Sequence, residues 1–205
     1  MLKLYFAPGT CALASHIALE ESGAAYETVR LDFARNDQKS ADYLAVNSKA
    51  RVPALVTDHG VLTETPAILG YIAQSFPAAG LAPVEPFAFA RAQAFNSYLC
   101  STVHVAHAHK ARGARWSDDP AVIDALKKKV TQNVGDCFAL IDAEMLMSPW
   151  VMGESYGVCD AYLFTIARWL EGDGVDIARF PKVQAHFRRM AARPAVSKVL
   201  AQHSA

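Results

Sequence analysis

Met1-Leu-Lys-Leu-Tyr-Phe-Ala-Pro-Gly-Thr-Cys11 opens the chain, and Ala12-Leu-Ala-Ser-His-Ile-Ala-Leu19 follows. Apolar residues alternate at Leu2, Leu4 and Phe6 as in a strand. Pro8-Gly9 signals a turn, and Ala12, Leu13, Ile17, Ala18 and Leu19 then recur at helical spacing. The stretch therefore reads as strand, tight turn and helix, with Cys11 in the helix's first turn. Unpaired amides and the positive end of the helix dipole converge there, and both favour thiolate over thiol. A cysteine so placed is expected to be reactive, its pKa depressed to roughly 3.5–7.5. The competing reading is a small buried thiol inside an ordinary strand-to-helix turn.

The same grammar continues to about residue 77. Tyr26–Leu31 alternates as a second strand, and a short helix follows near Asp42–Val46. Val52–Thr57 and Val61–Thr63 flank Asp58-His-Gly60 as a hairpin. Thr65-Pro66 then begins a helix, with Thr65 as its cap and Pro66 at the first helical position. The order β-α-β-α-β-β-α predicts a four-stranded mixed sheet with helices on its faces. Pro77, Gly80, Pro83 and Pro86 mark a linker. Helical patterns then cover roughly 87–112, 120–147, 158–171, 181–192 and 195–203, divided at Asp119-Pro120, Phe180-Pro181 and Arg193-Pro194. An α/β domain over 1–77 and an all-α domain over 86–205 are expected.

Bulk properties narrow the function. Of 205 residues 52% are apolar, enough for a sizeable core, and 20 Lys and Arg balance 20 Asp and Glu. That balance predicts no nucleic-acid partner and no anionic membrane surface. No run approaches the ~20 apolar residues of a membrane span, and the N-terminus lacks a signal-peptide pattern. The four cysteines, Cys11, Cys100, Cys137 and Cys159, form no CxxC pair. They read as reduced thiols of a cytoplasmic protein, neither a disulfide framework nor a zinc site.

Four segments together resemble the cytosolic glutathione transferases, most closely the bacterial beta class. They are Leu4–Leu19, Asn47-Ser-Lys-Ala-Arg-Val-Pro-Ala-Leu55, Leu62-Thr-Glu-Thr-Pro-Ala-Ile68 and Gly153–Phe164, in order and at the right spacing over the whole chain. The resemblance implies a thioredoxin-like N-terminal domain and a helical C-terminal domain. It implies glutathione as co-substrate, no resident cofactor and a homodimer. Val52-Pro53 is similar to the family's cis-proline step, which exposes the residue-52 backbone to the cysteinyl part of glutathione. Glu64-Thr65 resembles its acidic-hydroxyl pair, with Thr65 and helix amides for the γ-glutamyl carboxylate and Glu64 for the ammonium.

The sequence also departs from the family. Arg51, an expected glutathione contact, stands where a glutamine is common, and Asn36 stands in place of a lysine. Gly157 replaces the Ser or Thr that usually begins the sixth helix, leaving Asp160 to reach back to the cap amide.

On the long helix Ser97, Ser101 and His104 fall at i, i+4 and i+7, a polar stripe. The resemblance places His104 opposite the catalytic Cys11, followed by Val105 where the class often has lysine. Ser101, on the same stripe, joins the expected glutathione contacts. His107, Arg112 and Trp116 are expected in the second-substrate pocket, although Arg112, Arg115 and Trp116 could equally cover the helix end. Two histidines at i, i+3 without a third ligand are weak grounds for a metal, and none is expected. The function implied is conjugation of glutathione to small hydrophobic electrophiles, with monothiol exchange through Cys11 as a second chemistry. The alternative is a non-catalytic dimeric binding or regulatory protein on the same fold. Ala88, Ala90, Ala92 and Ala94 are compatible with close helix contact in a dimer.

Overall fold

A computed structural model describes residues 1–204. Strand β1 (Leu2–Phe6) leads through a turn into helix α1 (Ala12–Ser22), and β2 (Tyr26–Arg30) returns parallel to β1. After α2 (Ala41–Val46), the hairpin β3 (Ala54–Thr57) and β4 (Gly60–Thr63) completes a sheet in the order β2-β1-β3-β4. β3 runs antiparallel to β1 and to β4. This is the mixed sheet that the β-α-β-α-β-β-α pattern predicts. Helix α3 (Thr65–Ser75) closes the N-terminal part.

The remainder is helical: α4 (Pro86–Tyr98), α5 (His104–Arg112), α6 (Pro120–Leu140), α7 (Val158–Ala167), α8 (Pro181–Ala191) and α9 (Pro194–Ser204). Pro stands in the first turn of all of these but α5 and α7, where its missing N–H costs nothing. A π-helical turn, Leu99–Val103, joins α4 to α5, so the expected long helix carries a bulge in its middle.

Helix α1 is the pivot of the molecule. Ala12 through Leu19 are all buried, because the helix packs on β1 and α3 on one side and on α7 and α9 on the other. Its alanines let these neighbours approach closely, and a helix apolar all round belongs inside. Asp160, buried in the first turn of α7, takes the Gly157 amide at 2.7 Å, the Val151 amide at 2.8 Å and the His186 ring at 2.9 Å. A Cβ at Gly157 would stand 2.7 Å from the Leu81 carbonyl oxygen. The missing capping side chain is thus a matter of space, and the Asp160 carboxylate caps instead.

Two sequence expectations are corrected here. Helix α3 begins one residue earlier than read: Glu64 is the flanking residue, at φ 69°, and makes no side-chain cap. The alanines of α4 do not share a face, since Ala92 is fully buried while Ala90 and Ala94 are exposed. Two-residue spacing cannot align side chains on a helix.

Candidate active site

In the antiparallel register Tyr5 pairs with Ala54, which carries Val52 and Pro53 to the end of β1 where the chain turns toward Cys11. The Val52-Pro53 peptide is cis. Tyr43 Oη and Asn47 Nδ2 both donate to the Arg51 carbonyl, at 2.5 and 2.7 Å, and fix the approach to this segment. The Cys11 thiol donates to the Val52 carbonyl oxygen at 3.6 Å.

Around these residues lies a cleft of about 570 Å³ between the sheet's end and the helical region, a size suited to a small-molecule ligand. The sheet side supplies Cys11, Arg51, Val52, Pro53, Glu64 and Thr65; the helical side supplies His104, His107, Arg112 and Trp116. Ten residues that the sequence singled out therefore meet in one place.

Ser101 does not. It is exposed, bonds back to the Ser97 carbonyl at 2.8 Å and lies outside the cleft wall. The π turn at Leu99–Val103 breaks the helical count on which its placement rested, and Cys100 lines the cleft instead. Tyr162 and Trp169 also line it. Tyr162 lay hidden in the apolar run of α7, and nothing in the local sequence marks Trp169, whose indole N–H reaches the Gly9 carbonyl at 3.2 Å.

The expected acidic shift of Cys11 is reversed. Burial pushes its thiol up, while the neighbouring Thr65 hydroxyl and the Arg112 guanidinium pull the other way. Cys11's own backbone N–H also favours the thiolate, less than burial opposes it, and the next three amides are already engaged. Ala12 N–H donates to Thr10 Oγ1 at 3.3 Å, Leu13 N–H to the Thr10 carbonyl at 3.2 Å and Ala14 N–H to the Cys11 carbonyl at 3.1 Å. Cys11 makes no capping bond and rests as a thiol.

His104 is pulled down to about 4, first by burial and then by Arg112, His107, Arg115 and Arg51. Its ring packs edge-on against Trp169 with centroids 4.9 Å apart. His107 stacks on the same indole at 4.3 Å and its Nδ1 is 2.7 Å from Oδ2 of the buried Asp173. Glu64 Oε1 is held by Lys49 Nζ at 2.5 Å, and Lys49 also donates to Thr63. Nothing in the local sequence marks that lysine pairing.

The model of the glutathione S-transferase N-terminal domain matches residues 1–74, and that of the C-terminal domain matches 104–194. The chain belongs to the glutathione S-transferase family. It is 34% identical to the glutathione S-transferase GstA of Escherichia coli O157:H7, with 97% of each chain covered. Among solved structures it is similar to a glutathione transferase homologue from Sulfitobacter with bound glutathione, at 43% identity and a TM-score of 0.95 over 98% of each chain. The beta-class glutathione S-transferase of Sphingomonas chungbukensis is 35% identical, with a TM-score of 0.86 over 98% of each chain. The thioredoxin-like and helical parts of this glutathione transferase fold meet at the cleft described above. No helix among the described residues is long and apolar enough to cross a membrane.

Proposed function

We propose that this chain conjugates glutathione to small electrophiles, with the tripeptide lying along Val52-Pro53 and its sulfur beside Cys11. The observation that carries the reading is the convergence of Cys11, the Val52 backbone and Thr65 on one cleft. Thr65, the first residue of α3, brings its hydroxyl and the adjacent amides to the γ-glutamyl carboxylate. Glu64, held by Lys49, accepts from the ammonium. Arg51 takes part in holding the tripeptide from the same edge.

The thiol state of Cys11 favours conjugation over exchange. A neutral Cys11 Sγ–H can turn from the Val52 carbonyl and donate to the glutathione sulfur, stabilising that thiolate rather than attacking in its own right. His104, neutral down to about pH 4, offers a second uncharged ring partner. The cationic field of Arg51, Arg112 and Arg115 favours the thiolate further. The thiolate then attacks the electrophile against the wall formed by His107, Arg112 and Trp116. Exchange through a Cys11–glutathione mixed disulfide is the second reading, resting on the same thiol.

The functional unit is a homodimer in this reading, working in the reducing cytoplasm. Exposed Phe87 and Val84, continuous with Ala90 and Ala94 on α4, offer an apolar surface for pairing.

Retention on immobilised glutathione, followed by turnover of a generic aryl halide, tests the assignment. Retention with turnover supports it. Retention without turnover points to the non-catalytic binding protein, and failure of both removes glutathione from the account.

A further inference from the structure

Arg51, Arg112 and Arg115 all face the cleft, and none forms an ion pair among the described residues. One carboxylate, Glu64, stands in the cleft wall, and Lys49 already holds it. In a chain whose 20 cationic and 20 anionic side chains balance, this wall sets three positive charges against one negative. Lacking an ion pair is common among this chain's arginines, Arg193 with Glu21 at 2.6 Å being an exception, and what sets these three apart is that they line one cleft together. Gathering arginines without counter-charges costs free energy, which an incoming anion recovers. The strain registers on Arg115 itself, whose proton affinity is lowered by burial and then by Arg112 and Arg51.

The three arginines are not equivalent. Arg51 adjoins Val52 on the sheet side, where glutathione lies. Arg112 ends α5, and Arg115 follows one turn later on the opposite wall, beside Trp116. Flat surfaces flank them there. Trp116 packs edge-on with His109 at 4.4 Å, and His107, anchored by Asp173, stacks on Trp169 at an interplanar angle of 21°. A guanidinium pair presents planar donors suited to a carboxylate or sulfonate, and aromatic walls suit a ring.

We propose that the second substrate is an anionic aromatic electrophile, its carboxylate or sulfonate held by Arg112 and Arg115 and its ring lying against Trp116 and the His107–Trp169 pair. The inference rests on the transferase reading above and names the acceptor class of that same site. For an aryl halide the balance is simple. The glutathione thiol gives up its proton to solvent, a carbon–sulfur bond forms at the ring carbon, and the carbon–halogen bond breaks with halide leaving on its electron pair.

The test compares two activated aryl chlorides that differ in charge, 1-chloro-2,4-dinitrobenzene and 4-chloro-3,5-dinitrobenzoate. Each kcat/KM is divided by the uncatalysed rate with glutathione, so that intrinsic reactivity cancels. The benzoate is expected to gain about tenfold more from the enzyme, worth 1.4 kcal/mol, and rising salt should shrink that preference. The Arg112→Gln/Arg115→Gln double variant should bring the ratio of the two acceptors toward one. A partial loss of active enzyme scales both rates alike and leaves that ratio where it was, so the ratio is the readout. Equal gains for both chlorides in the wild type overturn the proposal. So does a double variant that raises KM for glutathione with the ratio intact, because the arginines would then serve glutathione's own glycyl carboxylate. Turnover of neither chloride defeats the transferase reading and the proposal with it.

Discussion

The Cys11 thiol points at the Val52 carbonyl oxygen, 3.6 Å away, and not at the amides of the helix it begins. A carbonyl acceptor stabilises the protonated sulfur, and burial acts in the same direction. Cys11 is therefore a hydrogen-bond donor at rest.

Alkylation of Cys11 should be slow at pH 6 and climb only above the ordinary thiol range, as mass spectrometry of labelled peptides would show. Cys11→Ala should lower conjugation by about 10²-fold, the usual cost of a lost donor to a developing anion, while glutathione still binds. Cys11→Ser should keep much of the activity and lose thiol exchange altogether. Rapid labelling of Cys11 at pH 6 would contradict a thiol ground state.

His104→Ala should slow conjugation by about 10²-fold without unfolding the chain. Because His104 titrates at about 4, its contribution to kcat should be constant from neutral pH down to about pH 5. A wild-type rate that breaks near pH 6.5 and loses the break in His104→Ala would show that the imidazole charges far more easily than its burial allows.

Acid stability should depend on two histidines remote from the cleft. His16 Nδ1 and His203 Nε2 lie 3.0 Å apart, joining α9 to α1, and burial pulls each down to about 4. Above pH 6.5 both folded and unfolded chains keep these rings neutral, so they contribute no pH dependence. Between 6.5 and about 4 the unfolded chain binds protons that the native one refuses, and His104 behaves alike. Stability should fall as pH falls through that window. Denaturant melts at pH 7, 6, 5 and 4 measure it, and His203→Gln should flatten the slope.

Asp160→Ala should cost about 3–5 kcal/mol, since it leaves buried His186 and two amides without their shared acceptor. Gly157→Ser, which restores the family's usual cap, should also destabilise the chain, by about 1–3 kcal/mol, because its Cβ meets the Leu81 carbonyl. Urea melts of both variants decide the matter. A Gly157→Ser chain as stable as the parent would mean that the α7 entrance yields easily.

Much of this was legible in the sequence because it rests on punctuation. Pro8-Gly9, Asp58-His-Gly60 and the prolines of the helical half mark element ends with little help from tertiary contacts, and the order of elements placed Cys11 at a strand-to-helix turn. What was illegible depends on long-range geometry. The π turn at Leu99–Val103 has no residue signature, and that one bulge exchanged Ser101 for Cys100 in the cleft. A low Cys11 pKa presumes free helix amides, and Thr10 and the backbone take those of Ala12, Leu13 and Ala14. Asp173 reaches His107 across 66 positions, and Lys49 meets Glu64 through the β3–β4 hairpin. No local pattern announces either pairing.

The central claim is that glutathione fills the cleft over Cys11. S-Methylglutathione, which has no thiol to consume the reagent, allows a direct measurement: the rate of Cys11 alkylation at pH 9 as the ligand is raised through saturation. Labelling of Cys11 should fall in proportion to occupancy while that of Cys137, outside the cleft, stays constant. Cys11 labelling that is unchanged at saturating ligand would contradict the account.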